Sequence, residues 1–197
     1  MTDRGLTLFD TQIGPCGIAW GDRGVIAVQL PERTEARTRA QLLRRCPHGR
    51  EATPPAHVQD AIEGIVSLLN GEARDLSAIV LDMDGLTMFD RRVYEVARTI
   101  MPGATLSYGE IAARLGTSAL ARDVGQALGR NPFPIIVPCH RVLAAGGKVG
   151  GFSANGGITT KLRLLTIERA RTSDTPTLFD GDSAFAFALR PRRRNSS

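Results

Sequence analysis

Short apolar runs separated by turn residues fill the first thirty positions of the chain. The segment LTLFDTQIGPCGIAWGDRGVIAVQL alternates such runs with glycine-containing turns, which favours two or three antiparallel strands. Two helical segments follow, RTEARTRAQLLRRC and PPAHVQDAIEGIVSLLNG, and the pair Asn70 and Gly71 is typical of a helix end. The run LSAIVLDMDGL predicts one more strand. We therefore expect an α+β first half that ends near residues 85–90.

Helical periodicity replaces this pattern in the second half. The segment TMFDRRVYEVARTI has one apolar face, and Pro102 and Gly103 end it. A second helix starts in LSYGEIAARLG, because Ser107 and Glu110 have the spacing of a capping box. After a GTS turn, ALARDVGQALGR repeats apolar residues at intervals of four. The predicted buried positions of the three helices are Phe89, Val93, Val96, Ala97 and Ile100, then Ile111 and Leu115, then Leu120, Val124 and Leu128.

The last two of these helices, joined by a short glycine turn, predict a helix-turn-helix. An ordinary αα-hairpin has the same spacing, so the pattern alone does not establish DNA binding. The second helix carries Ala119, Ala121, Gly125 and Gly129 on its other faces, beside Arg122. Glycine costs a helix roughly 1 kcal/mol relative to alanine. Its repeated use indicates close approach to another surface, either a second helix or a DNA groove into which Arg122 could insert.

Three prolines restrict the backbone conformation of the segment NPFPIIVPCHRV. Pro132, Pro134 and Pro138 exclude a helix and predict an extended segment. Asn131 lies at its start, where it could cap the preceding helix or hold the turn through its side chain.

The remaining segments are a loop, a helix and a tail. The glycine-rich stretch LAAGGKVGGFSANGG lacks the Gly-Lys-Ser/Thr of a P-loop, which argues against phosphate binding of that kind. ITTKLRLLTIERA predicts a final helix with Leu162, Leu165 and Ile167 partly inward. Residues 172–197 are predicted to be a largely mobile tail.

Composition limits the class of protein. The 197 residues are enough for one large domain or two small ones. No apolar stretch reaches the length of about 18 residues that a membrane span needs, and the N-terminus lacks the apolar core of a signal peptide. Three cysteines are too few for a disulfide framework and fit a reducing compartment. We therefore expect a cytoplasmic protein.

Charge is unevenly distributed along the chain. Residues 1–90 hold nine basic and thirteen acidic side chains, whereas residues 91–197 hold sixteen basic and seven acidic ones. A basic second half is typical of contact with a polyanion such as nucleic acid, although solvated surface arginines would give the same count.

The pentapeptide PCHRV places Cys139 beside His140 after an apolar run. A cysteine in such a place is usually a small buried hydrophobe. Here the prolines fix its backbone, and a neighbouring base would lower the pKa of the thiol from about 8.5 and favour the nucleophilic thiolate. Adjacent residues of an extended segment point in opposite directions, so Cys139 and His140 need not bond directly, and a bridging water could carry the proton to the imidazole. Glu168, the only carboxylate of the last helix, could orient the imidazole.

These motifs together resemble one family. PCHRV, SYGEIAARLG, ARDVGQALGRNPFPIIVPCHRV and KLRLLTIE closely resemble the O6-alkylguanine-DNA alkyltransferases, also called methylated-DNA–protein-cysteine methyltransferases. The resemblance is strong from about residue 86 to 169. Over residues 1–85 only the order of strands and helices agrees.

The resemblance implies a fold in two parts. Residues 1–85 would form an α+β domain with a small antiparallel sheet plus helices, ribonuclease H-like. Residues 86–171 would form a mostly helical, winged helix-turn-helix-like domain that binds DNA and accepts the alkyl group, followed by the tail.

The resemblance also implies an activity. The protein would bind double-stranded DNA as a monomer from the minor-groove side, flip O6-alkylguanine out of the duplex and transfer its alkyl group irreversibly to Cys139. One molecule would repair one base without a metal or organic cofactor. By the same resemblance, His140 is the water-mediated base, Glu168 orients it, and Asn131 ties the recognition helix to the active-site turn.

Further site residues follow from the same resemblance. Arg122 would fill the space of the flipped base, and the Tyr108 hydroxyl would help base rotation and donate to the guanine ring. The carbonyls of Cys139 and Val142 would accept from the guanine amino group. The remaining expected contacts are Ser107, Ala121 and Gly125 for DNA and Asn155 for the substrate.

Two residues depart from the family pattern, and the zinc site of some relatives has to be considered. Asp123 follows Arg122 directly, where a carboxylate would weaken DNA binding unless it points away. Tyr94 stands where a tryptophan is expected, which we interpret as a packing change. Some relatives carry zinc in the first half, but the residues that could ligate it do not match the family positions, and no metal is expected. These residues are Cys16, Cys46, His48 and His57.

Other functions stay open at this point. A lesion-sensing relative would bind DNA without transfer, a Cys-His-Glu hydrolase would turn over a small ester or amide, and a helix-turn-helix regulator would do no chemistry.

Overall fold

The structure is a computed structural model that describes residues 4–116 and 120–170. Most of the predicted GTS turn, Ala119 and the predicted tail at 172–197 lie outside these residues. Within the described part of the chain, no helix is both long enough and apolar enough to cross a bilayer.

The first half opens with a small mixed sheet. Strands β1 (Gly5–Phe9), β2 (Cys16–Gly21) and β3 (Gly24–Gln29) pair antiparallel, as predicted. The two-residue β4 (Arg50–Glu51) joins the other side of β1 in parallel, giving the order β3-β2-β1-β4. The prediction of a purely antiparallel sheet is therefore wrong at this edge. The chain crosses over through a helix before β4, and such a crossover returns it in the parallel sense.

Two helices cover this sheet and extend the core. Helix α1 (Glu35–Arg45) starts at Thr34, whose hydroxyl accepts the N–H of Arg37, and it buries Leu42 against the sheet. Helix α2 (Ala56–Leu69) ends at Asn70, as predicted.

The strand predicted over LSAIVLDMDGL does not form. Leu81 makes a single isolated bridge to Val25, supported by two backbone hydrogen bonds at Val80 and Asp82. Turns on both sides of Leu81 interrupt the run, so it contributes an edge contact rather than a strand.

The second half is mostly helical. It contains α3 (Met88–Arg98), α4 (Tyr108–Arg114), α5 (Ala121–Gly129) and α6 (Ile158–Ile167), with a two-stranded parallel sheet of β5 (Leu106–Ser107) and β6 (Val142–Leu143). The predicted capping box at the start of α4 is confirmed: Glu110 N–H donates to Ser107 Oγ at 3.1 Å, and Ser107 N–H donates to the Glu110 carboxylate at 2.6 Å.

Polar contacts fix α5 against α3. The Tyr94 hydroxyl, fully buried, donates to the carbonyl of Ala127 at 2.9 Å. The buried Asp90 carboxylate accepts from Arg130, the residue that ends α5, also at 2.9 Å. The Tyr94 ring packs edge-to-face on Phe133 with centroids 6.4 Å apart. The tyrosine at position 94 therefore does more than fill space, since its hydroxyl holds the helix that follows the turn.

The segment from Asn131 to Val142 turns instead of extending. Val137 N–H bonds back to the Phe133 carbonyl, Ile135 has a positive φ of 74°, and Cys139–Arg141 form a 3₁₀ turn. The prediction of an extended segment is wrong because the prolines exclude an α-helix but are compatible with tight turns.

The inward face of α6 agrees with the prediction at Leu165 and Ile167, which are buried and half-buried, but not at Leu162. Leu162 is exposed, while Lys161, Leu164 and Leu165 are buried. The helix places residues three and four apart on one face, and that face begins at Lys161 rather than at Leu162.

One hydrophobic core joins the two halves of the chain. Ile18 and Ile65 from the first half share it with Val93, Ile111 and Leu164 from the second. The fold is thus mixed α+β with a small sheet beside six helices in the described residues. The domain boundary near residue 85 stays a prediction.

Candidate active site

Cys139 lies at the start of a short turn under a cavity. Cys139 follows Pro138, and the N–H of Cys139 donates to the carbonyl of Val137 at 2.8 Å. Only 9% of Cys139 is exposed. A cavity of about 150 Å³ borders Cys139, with walls from α5, the glycine-rich loop and the first half of the chain. A small group in this cavity could therefore reach a sulfur that bulk solvent barely touches.

Asn131 builds the turn that carries Cys139. Its side-chain amide donates to the carbonyl of Val137 at 2.8 Å, and its amide oxygen accepts the N–H of Phe133 at 2.9 Å. The residue is buried directly after the end of α5. Of the two roles that the sequence left open, the structure shows the second, in which the side chain holds the turn.

A buried carboxylate binds both neighbours of Cys139. Glu168, which ends α6, has one oxygen 2.9 Å from His140 Nε2, and it accepts two hydrogen bonds from Arg141 at 2.7 and 2.8 Å. Arg141 also donates to the carbonyl of Ile100. The side chains of His140 and Glu168 are almost completely buried. The 3₁₀ turn is thereby fastened to α6 and to the end of α3.

This arrangement sets the protonation of the group. Burial alone would raise the pKa of Glu168, but the hydrogen bonds from His140 and Arg141 outweigh it and hold the pKa at about 2. Burial lowers the pKa of His140 despite the opposing effect of Glu168. A neutral imidazole that meets a carboxylate through Nε2 carries its proton there, so Nδ1 is a free acceptor. Nδ1 is buried and has no partner among the described residues.

The thiol of Cys139 is subject to opposing effects. Burial raises the pKa of the thiol above its ordinary value, and a hydrogen bond from the Asn131 side chain, the charge of Lys161 and the backbone N–H of His140 offset this rise only in part. Neither ring nitrogen of His140 bonds the sulfur in the described residues, which fits the predicted bridging water without testing it.

Lys161 is the site residue that the sequence analysis missed. It is completely buried, its ammonium donates to the carbonyl of Val142 at 2.6 Å and lies 5.9 Å from the centroid of the Tyr108 ring. Burial lowers its pKa to about 8, against the effect of Cys139. The signal was available, since Lys161 is one of only two lysines and lies seven residues before Glu168.

Two of the predicted DNA-facing residues, Tyr108 on α4 and Gly125 on α5, lie next to each other. Tyr108 is half-buried, and both burial and Cys139 raise the pKa of its hydroxyl. A Cβ on Gly125 would lie 3.8 Å from the Tyr108 ring, whereas none of the described atoms lies within 4 Å of one on Gly129. Arg122 and Asp123 are both exposed. No tight helix contact within the described chain therefore explains these glycines.

Two groups predicted to contact the substrate have hydrogen-bond partners within the protein. The carbonyl of Val142 already accepts from Lys161, although its second lone pair is available. Asn155 is exposed, and its side chain reaches the carbonyl of Pro31 at 3.5 Å. Ser153 rather than Asn155 lines the cavity beside Cys139.

The possible zinc residues of the first half do not meet. Cys16 is a core residue: burial raises the pKa of its thiol to about 12, with a weak contact to the Thr11 hydroxyl acting the other way. Cys46 belongs to the small core under α1. In residues 4–116 and 120–170, no three potential metal ligands come together.

Comparison with known proteins identifies the family. The family model for the DNA-binding domain of 6-O-methylguanine DNA methyltransferase matches residues 88–170. The methylated-DNA–protein-cysteine methyltransferase of Methanothermobacter thermautotrophicus is 38% identical over 152 residues, which cover 77% of this chain and 78% of the relative. The protein of the same name from Mycobacterium bovis is 37% identical over 173 residues, covering 87% and 96%.

A solved structure agrees with these sequence relatives. The crystal structure of Mycobacterium tuberculosis OGT in complex with DNA matches with a TM-score of 0.66 at 34% identity, covering 84% of this chain and 92% of that one. The chain therefore belongs to the family of methylated-DNA–protein-cysteine methyltransferases. This confirms the family that the motifs around Cys139 predicted.

The contacts of Glu168 predict a pH-dependent contribution to stability. Glu168→Gln leaves Arg141 buried without its charge partner, and we expect a loss of about 3 to 5 kcal/mol at pH 7. Because the folded-state pKa of Glu168 is about 2, below the ordinary 4.5, this stabilisation is complete above pH 4.5 and disappears as the pH falls toward 2. Urea unfolding of both proteins from pH 7 to pH 3 measures it. Glu95→Gln, on the exposed side of α3, is the control. If the free energies of unfolding of wild-type protein and Glu168→Gln differed by the same amount at every pH, the assignment would be contradicted.

The charge of Lys161 predicts the reactivity of the thiol. Lys161→Met removes a positive charge that lowers the pKa of Cys139, so alkylation of Cys139 by iodoacetamide at pH 7 should slow by about tenfold. The difference should shrink above pH 8, where Lys161 itself loses its proton. Peptide mass mapping follows the modification, with Lys148→Met on the exposed loop as the control. An unchanged pH profile would remove Lys161 from the activation of the thiol.

Proposed function

We propose that this protein repairs DNA by moving an alkyl group from the O6 atom of a damaged guanine onto the sulfur of Cys139, where it remains. The observation that carries the proposal is the arrangement of Cys139, His140 and Glu168 beside the cavity. A scarcely exposed thiol borders the cavity, and the neighbouring neutral imidazole is held by Glu168 with Nδ1 unpaired. Family membership supports the same reaction.

The reaction is a single displacement at carbon. The thiol of Cys139 loses its proton through a water to Nδ1 of His140, and the thiolate attacks the alkyl carbon. A carbon–sulfur bond forms while the bond from that carbon to O6 breaks, and the electron pair of that bond goes to the guanine. The guanine takes up one proton, helped by the hydroxyl of Tyr108, and leaves as the normal base. No redox change or cofactor enters this balance.

The product explains why each molecule acts once. The new bond is a thioether, which is not hydrolysed under physiological conditions. Lys161 and the hydrogen bond from Asn131 stabilise the thiolate before attack and lose that role once the sulfur is alkylated. The protein is therefore consumed in the reaction that it performs.

Access to the base requires flipping from the duplex. The exposed Arg122 stands on α5 where it could occupy the vacated stack, and Ala121, Gly125 and Ser107 would let the helix pair approach the groove closely. Tyr108 lies next to Gly125 of this surface, and its hydroxyl is close enough to Cys139 for the thiol to raise its pKa. A flipped base that enters from the groove would thus meet Tyr108 beside Cys139.

Several finer features belong to this proposal and rest on the family. They are the preference for O6-alkylguanine, the ribonuclease H-like and winged helix-turn-helix descriptions of the two halves, the monomeric state and the cytoplasmic location. The position of Asn155 favours Ser153 as the loop residue nearest the substrate.

Intact mass spectrometry tests the reaction. Incubation with a duplex that contains one O6-methylguanine should add one methyl group to the protein, and Cys139→Ser should stay unmodified while still binding the duplex. An unmodified wild-type protein that binds the lesion would instead indicate a lesion sensor. Repeated release of product without a change in mass would indicate a hydrolase.

Arg122→Ala tests the flipping step. Loss of the side chain that fills the stack should slow repair in duplex DNA by about tenfold or more, because the extrahelical base loses a stabilisation of the order of a few kcal/mol. Transfer from free O6-benzylguanine should change much less. Arg37→Ala, an exposed arginine on α1, is the matched control. Equal slowing on both substrates would contradict the proposed role of Arg122.

A further inference from the structure

The segment that carries the reactive sulfur, residues 131–142, is attached to the rest of the protein at both of its ends. At its C-terminal end, Arg141 donates two hydrogen bonds to Glu168, the residue that ends α6. Lys161, on the same helix, donates to the carbonyl of Val142. These contacts fasten this end of the segment to α6, within the second half of the chain.

The first half of the chain holds the other end. The carbonyl of Pro132 accepts the backbone N–H of Val28, in β3, at 2.8 Å. The preceding carbonyl, that of Asn131, accepts from the guanidinium of Arg45, the last residue of α1, at 3.3 Å. A single hydrogen bond leaves the bonded peptide free to rotate about it, whereas bonds to two successive carbonyls also fix its direction. The start of the segment is therefore oriented by two elements of the first half.

Asn131 transmits this orientation to the sulfur. Its side chain bonds the carbonyl of Val137 and the N–H of Phe133, which closes the turn before Cys139. The same side chain forms a hydrogen bond with the thiol of Cys139. A rotation of the Asn131 backbone would therefore displace the amide that both shapes the turn and meets the sulfur.

Arg45 makes no competing contact that would explain its position. Its side chain forms no hydrogen bond other than that to Asn131, and no ion pair, within residues 4–116 and 120–170. It lines the same cavity as Cys139. Burial lowers the pKa of Arg45, while the charged forms of Tyr94 and Cys139 would raise it. The guanidinium thus stands beside the active-site segment, and its one described contact is with that segment.

We propose that Arg45 is a positioning residue for alkyl transfer, which sets the direction of attack of the Cys139 sulfur by holding the carbonyl of Asn131. The inference rests on the proposed alkyl transfer and adds no chemical step to it. Displacement at carbon requires the sulfur to lie in line with the bond that breaks, so a small rotation of the turn slows the reaction. The first half of the chain thereby contributes to the rate through Asn131, without a contact to the reacting atoms.

Rates of alkyl transfer measured on two substrates test the proposal. Arg45→Met removes the donor and keeps a long side chain. The rate constant of transfer to Cys139 is followed by intact mass spectrometry, with free O6-benzylguanine and with a saturating duplex that contains O6-methylguanine. Affinity for the same duplex is measured with Cys139→Ser as the background, in which no transfer occurs. Urea unfolding of each variant is recorded beside the rates, so that a loss of folded protein is not counted as slower transfer.

We expect Arg45→Met to slow transfer about fivefold on both substrates, through loss of one hydrogen bond at the turn, and to leave the affinity for the duplex unchanged. Arg45→Lys, which keeps a charged donor, should recover most of the rate. Arg44→Met, an exposed position on the same helix, should react like wild-type protein.

Two results would overturn the inference and leave the proposed function intact. One is an equal rate constant for wild-type protein and Arg45→Met. The other is slower transfer from the duplex alone together with weaker duplex binding, which would make Arg45 a DNA contact instead. If wild-type protein transferred no alkyl group from either substrate, the inference and the proposed function would both fail.

Discussion

Glu168 places a buried carboxylate between two side chains of the turn that carries Cys139. Removing a carboxylate from water is costly unless charge and hydrogen bonds compensate it. Arg141 supplies the charge, and His140 supplies the remaining donor. Burial keeps the imidazole neutral against the opposing effect of Glu168 on its pKa, and the contact with Glu168 directs the Nε2 proton toward the carboxylate. Structure and chemistry at Cys139 thus depend on one carboxylate at the end of α6.

A second set of contacts connects this centre to the predicted DNA surface. Tyr94 and Asp90 hold α5 from one side, and Asn131 continues from the end of that helix into the turn under the sulfur. Because the contacts of Tyr94 and Asn131 and the carboxylate of Asp90 are buried, α5 and Cys139 have little freedom to move independently. A flipped base guided by α5 would meet the sulfur in a defined position.

The sequence predicted the parts that local signals encode. The capping box at Ser107 and the helix end at Asn70 could be predicted because each depends on residues only a few positions apart. The family motif predicted Cys139, His140 and Glu168 as a group, and the structure brings His140 and Glu168 into contact. The catalytic roles of these residues remain predictions.

Features that depend on distant contacts were missed. The run around Leu81 had strand-like composition but finds only one partner at Val25. The prolines before Cys139 excluded a helix without specifying which turns would replace it. The inward direction of Lys161 depends on the docking of α6, and a buried lysine contradicts the usual preference of that residue for solvent. The misses at Leu81 and Lys161 thus involve partners that are remote in the sequence, whereas the turns before Cys139 are held by local contacts that the prolines do not specify.

The most direct test of this account is the protonation of the His140 ring, measured by ¹⁵N NMR at pH 7. His140→Gln identifies its signals among those of the three histidines. The account predicts a neutral ring with the proton on Nε2, toward Glu168, and an unprotonated Nδ1. A ring protonated on both nitrogens, or on Nδ1 alone, would leave no base for the thiol of Cys139 and would contradict it.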